Sequence, residues 1–269
     1  MLLPSRWPLP RRGGISGMET FAAAAIRLFA ALLGLSAIAW GMAVFPTLWA
    51  QLPVEHTAAA VLNRAAFAPH ALLALVPALD DIEQASYCRP GALRSAAIIR
   101  LRLAENAVAG GERLVLDDRL NALEHSIHQA LACEPTDSFL WAALAWLDVV
   151  RRGRQPQQLT YLRLSYQLGP NEGWVATRRS RVALSMFRRL PPDLADTVVR
   201  EFAHMVNSWI YWDAIAIFTG PGWPVHDRLL AGLKDVGQRQ REAFYSELYT
   251  EGYDIVVPGV KPRDPRPWY

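Results

Sequence analysis

The sequence runs to 269 residues, of which 52% are hydrophobic and 20% charged, with two cysteines. That suits one large domain or two small ones with ample core, and it excludes a disordered chain, a collagen or a cysteine-stapled miniprotein. Positive charge rests on 26 Arg and 2 Lys against 25 acids, and the net +3 is too small a surplus for a general nucleic-acid binder.

The first 17 residues are rich in Pro, Gly and Arg and are expected to lack regular structure; Met18 offers an alternative start. From Leu28 to Ala50 the chain has 23 residues without a charge, about 34 Å as a helix, enough for a bilayer core of roughly 30 Å. Residues 28–50 therefore read as a transmembrane helix, with Trp49 at an interface and Pro46 in its last turns. Residues 1–27 carry Arg6, Arg11, Arg12 and Arg27 against Glu19 alone. The positive-inside rule then makes that segment cytoplasmic and everything after Gln51 external, in a bacterium periplasmic. A cleaved signal peptide is the competing reading, but the run is long for one and ends in Leu-Trp-Ala-Gln rather than a small-x-small site.

Beyond the anchor, apolar residues recur at helical spacing and β-branched alternation is almost absent, so the fold class is all-α. Helices are expected at 57–66, 70–86, 92–109, 117–133, 138–152, 156–168, 172–190, 192–217, 224–236 and 239–251. Pro- and Gly-containing breaks separate most of them. Asp254–Val260 is the one short extended candidate. The tail Val257–Tyr269 is too proline-rich to be helical, and Trp268 and Tyr269 are expected to clamp it to the body.

The segment Ala130-Leu-Ala-Cys-Glu-Pro135 is followed by Trp141, Leu144 and Ala145, and Ser165-Tyr-Gln-Leu-Gly-Pro170 begins 35 residues after it. A weaker copy spans Ala85 to Pro90. This pattern resembles the tetratricopeptide repeat, a 34-residue helical hairpin in which a small residue admits a close neighbouring helix and proline closes the unit. Trp174 departs from the pattern, standing four rather than six residues after Pro170, as do Gln157 and Tyr161. The resemblance covers two or three degenerate units between about residues 70 and 190. It implies periplasmic helical repeats over 51–190, an α-solenoid with a concave binding groove around Trp141 and Tyr166, and a C-terminal helical cap over 191–269. An ordinary helical bundle is the alternative.

Cys88 and Cys133 each stand two residues before a unit-ending proline, at equivalent edges of the expected repeats. A disulfide and two separately buried thiols are both open, since adjacent repeats normally hold such positions slightly too far apart for a bridge.

No phosphate loop, dinucleotide fingerprint, His-Glu-x-x-His or Gly-x-Ser-x-Gly motif occurs. Glu201 and His204 share one helix face, and His125 and His128 lie one turn apart, but neither pair finds the further ligands that a metal centre needs. No cofactor, metal or catalytic residue is assigned. An enzyme acting on a lipid-linked substrate would require these four groups to converge.

Residues 151–200 hold 10 Arg against three acids. On the helix expected at 172–190, Arg178, Arg181, Arg188 and Arg189 fall in one arc opposite Ala176, Ala183, Met186, Phe187 and Leu190. Such a face suits an acidic protein, an anionic glycan or lipid headgroups, or else is solvated surface paired with neighbouring acids. The expectation as a whole is a scaffold or assembly factor in the bacterial inner membrane. Its repeats bind envelope proteins, by family analogy those of polysaccharide synthesis or export, with a periplasmic oxidoreductase as the alternative client.

Overall fold

The computed structural model describes residues 16–263 other than Glu112 and Arg154. Every regular element among these residues is helical. The clamp expected from Trp268 and Tyr269 and most of the N-terminal segment lie outside the described residues.

By packing, the chain divides into two units, one up to Leu52 and one from Pro53 onward. The first is carried by helix α1, Ser16–Leu62, which contains a 26-residue span, Phe21–Pro46, of mean hydropathy 2.1 with none of its most apolar stretch buried. A core helix of a soluble domain would bury such residues, whereas here Phe29, Trp40 and Met42 are exposed. Among the described residues there is thus one helix, near the N-terminus, apolar enough to span a membrane. The break expected between residues 50 and 57 does not occur: α1 includes Pro53 and ends at Leu62. It ends in a Schellman closure, in which Arg64 N–H donates to the Val61 carbonyl and Ala65 N–H to that of Ala60, with Arg64 left-handed at φ 61°.

The second unit holds two adjoining cores. One gathers Val54, Ala58 and Val61 with α2 (Pro69–Leu73), α3 (Val76–Gln84), α4 (Pro90–Gly110), α5 (Arg113–Cys133) and α6 (Ser138–Arg152). The helix expected at 70–86 is two, because Pro77 can sit in the first turn of a helix but not deep inside one. Helices α4 and α5 pack as a hairpin, as do α6 and α7 (Gln157–Leu168). Gly111 caps α4 at φ 66°, a conformation glycine adopts without strain. Asp137 caps α6, accepting from Phe139 N at 2.9 Å and Leu140 N at 3.2 Å, and it also pairs with Arg94 of α4. Buried Arg100 joins α4 to α3 through Glu83, at 2.9 Å, and Asp80.

The other core runs from Ala145 to Val257, so residues on both sides of Leu190 share it. It takes in α7, α8 (Gly173–Ser185), α9 (Pro192–Asn207), α10 (Tyr211–Thr219), α11 (His226–Ala231) and α12 (Gln238–Thr250). The helix expected at 192–217 is broken by a second Schellman closure. Trp209 N–H donates to Val206 and Ile210 N–H to Met205, with Trp209 at φ 63° where glycine is usual. Asp254–Val260 is irregular rather than a strand. The segment is held on α12, where Arg241 donates to the Pro258 carbonyl at 2.8 Å and Arg263 N–H donates to the Tyr245 hydroxyl at 2.7 Å.

Candidate functional site

A cavity of about 510 Å³ lies in the second unit, in the range of small-ligand and peptide sites. One face each of α4, α6 and α8 walls it. Leu101, Arg102 and Glu105 come from α4; Phe139, Ala142, Ala143, Trp146, Val149 and Val150 from α6; Thr177, Arg178, Arg181, Val182 and Ser185 from α8. The α6 contribution repeats at three and four residues, one stripe of a helix. Leu62, Arg64 and Asp213 of α10 complete the lining, with Arg64 and Asp213 in contact.

The walls are mostly apolar, but the lining holds four arginines against two acids. Glu105 is shared between Arg178, at 3.4 Å, and Arg102, at 3.6 Å. Arg64 pairs with Asp213. Arg181 makes no hydrogen bond or ion pair with any described residue. Arg181 is an exposed residue whose guanidinium the cavity walls shield in part from water, and the like charges of Arg64 and Arg178 add to this. Its pKa is therefore lowered, with Glu105 acting in the opposite sense.

The four arginines of the expected face are split. Helix α8 ends at Ser185, and Arg188 and Arg189 lie exposed on a separate 3₁₀ turn, Phe187–Arg189. Pro191 ends the 3₁₀ turn, because the residue before a proline is pushed out of the helical region and Leu190 is extended at ψ 137°, while α8 itself already breaks at Met186, φ −121°. Only Arg178 and Arg181 reach the cavity.

Trp141 and Tyr166 do not line it. Trp141 stacks with Tyr161 and donates Nε1–H to the Pro135 carbonyl at 2.8 Å, fixing the α5–α6 turn. Tyr166 is buried under the Arg179 guanidinium, 3.9 Å from the ring centre. These residues are part of the packing; the cavity is walled by α4, α6 and α8 instead.

The residue sequence reasoning missed is Arg179, fully buried on the other face of α8. Its Nε lies 3.1 Å from Glu201 Oε1 of α9, and its Nη1 and Nη2 donate to the Ser165 and Gly169 carbonyls at 2.6 and 3.1 Å. Glu201 Oε2 also accepts from the Tyr166 and Ser180 hydroxyls, both at 2.9 Å. Burial pushes the Tyr166 hydroxyl well above the usual phenol pKa, and the Glu201 carboxylate adds to the rise. This network ties α7, α8 and α9 together. Gly169 fits only because it lacks a side chain: a Cβ there would stand 2.6 Å from that of Ser138.

Glu201 and His204 both line a second, 130 Å³ cavity. His125 and His128 are exposed on α5 and do not join them. Among the described residues, no three His, Cys, Asp or Glu side chains are placed to hold a metal ion. Cys88 and Cys133 form a disulfide with a Cα separation of 5.6 Å. No family model matches the chain, and no curated protein or solved structure matches it either.

Proposed function

We propose that this chain is a membrane-anchored scaffold or assembly factor whose groove, walled by α4, α6 and α8, receives a segment of a partner protein. The observation that carries this reading is the mostly apolar cavity of about 510 Å³ walled by α4, α6 and α8; read as the first helices of repeats, these would form the surface on which tetratricopeptide-like repeats take peptides. The anchor sits in a bacterial inner membrane with its N-terminus in the cytoplasm, following the arginine bias ahead of the apolar span. The Cys88–Cys133 disulfide supports an oxidising compartment for the second unit. The clients are envelope proteins, and by analogy with other anchored helical-repeat proteins they belong to polysaccharide synthesis or export.

The partner reading is tested by a photo-activated crosslinker placed at Thr177, in the cavity wall, and at exposed Asp118 on α5. In intact membranes the first position yields a discrete protein adduct and the second does not; equal or absent adducts would remove the groove as the docking site. Topology is tested separately. Protease added to spheroplasts digests the chain beyond Gln51 and spares the N-terminal stub, whereas a protected second unit would reverse the orientation.

A further inference from the structure

We infer that the groove selects an acidic peptide segment, seating a carboxylate among Arg64, Arg178 and Arg181 while neighbouring apolar side chains of the same segment lie on Phe139, Trp146 and Val150. This rests on the groove reading above and names its ligand. The first argument is charge. Four arginines and two acids line the cavity, leaving a balance of +2 beside apolar walls, and a partly desolvated guanidinium without an acid gains most from a carboxylate brought by a ligand. Arg181 is that guanidinium: Arg64 and Arg178 already hold Asp213 and Glu105, and Arg181, which makes no ion pair of its own among the described residues, feels the like charges of both arginines more strongly than the opposing charge of Glu105.

The second argument is backbone strain. Arg64 occupies a left-handed conformation, φ 61°, at the helix-ending position where glycine is favoured. Glycine there would close α1 equally well but would bring no charge to the cavity. The third is chemistry. The planar fork of arginine matches a carboxylate with two parallel hydrogen bonds, and the cavity volume accommodates a few side chains rather than a folded surface.

The test uses the full chain in phosphatidylcholine nanodiscs and a phage-displayed library of random octapeptides. Selected peptides carry Asp or Glu close to Leu, Ile, Phe or Trp, and binding weakens as salt is raised. Replacing the acid of a selected peptide by its amide costs about tenfold to a hundredfold in affinity, the usual range for a charged hydrogen bond. Arg181→Gln weakens the acidic peptide by a similar factor and leaves the amide peptide unchanged. Arg64→Gly does likewise while relieving the backbone, so loss of binding with intact helicity separates recognition from folding. Thr177→Trp fills the groove and abolishes both. Peptides that require the open groove but bind equally as acid and amide overturn this inference and leave the scaffold reading standing. No groove-dependent peptide at all overturns both. Dodecyl phosphate binding in place of any peptide assigns the site to a lipid-like anion and also overturns the peptide inference.

Discussion

Replacing Glu201 by Gln lowers the stability of the second unit by about 3–5 kcal/mol, the cost of leaving a buried charge without its partner. Arg179 has no exposed surface, and its guanidinium cannot follow its charge into water when the carboxylate is removed. The amide keeps the shape of Glu201 and can still meet the Tyr166 and Ser180 hydroxyls, so the loss isolates the charge. Arg179→Met removes the other partner and is expected to cost a similar amount, because the Ser165 and Gly169 carbonyls lose their donor. The double variant costs less than the sum of the two, since it leaves no unpaired charge. Thermal unfolding followed by circular dichroism reads the single losses as a fall of about 6–20 °C for a domain of this size. A single variant that melts with the parent would mean that water reaches Arg179 and that the network does not fix α8. Because Arg178 and Arg181 flank Arg179 on that helix, Glu201→Gln also weakens groove binding without touching the groove.

This pairing marks where the sequence was legible and where it was not. The apolar span was readable because membrane crossing is a matter of length and composition, and α6 was readable to the residue because Asp137 caps it and Gly153 follows it. The two Schellman closures were not, since Arg64 and Trp209 stand where glycine would announce a stop. Arg179 did leave a signal: at 100° per residue it falls on the same arc as Ala176 and Ala183, and an arginine on the apolar side of a helix requires a buried acid. That the acid was Glu201, seen in the sequence only as half of a Glu-x-x-His pair, depended on the packing of α8 against α9. The groove was missed for a related reason. Trp141 and Tyr166 draw attention as large aromatics near the repeat signature, whereas a groove needs small side chains, and Ala142 and Ala143 supply them on α6.

Breaking the Cys88–Cys133 disulfide is expected to cost about 4 kcal/mol in the chain-entropy account, for a sequence separation of 45 residues. The bridge ties the residue two before α4 to the last residue of α5, so it closes the hairpin at the end opposite its Gly111 turn. Without it, the two ends are held by helix packing and by the contacts of Arg94 with Glu134 and Asp137, two of whose three side chains are about a third exposed. Pairs of that exposure contribute little, so the ion pairs do not replace the crosslink. A Cys88→Ser/Cys133→Ser variant unfolds about 8–16 °C below the parent, and the difference vanishes when both proteins are unfolded under reducing conditions. Alkylation of the denatured, unreduced parent taken from its native membrane labels neither cysteine. Labelling of both would mean that the thiols stay reduced there, and would count against a periplasmic second unit. Since α4 and α6 are neighbouring walls of the groove and Asp137 both caps α6 and pairs with α4, loosening the hairpin end shifts one wall against the other. The serine variant is therefore expected to lose affinity for an acidic peptide even at temperatures where it remains folded, while Arg181→Gln loses it with no change in melting.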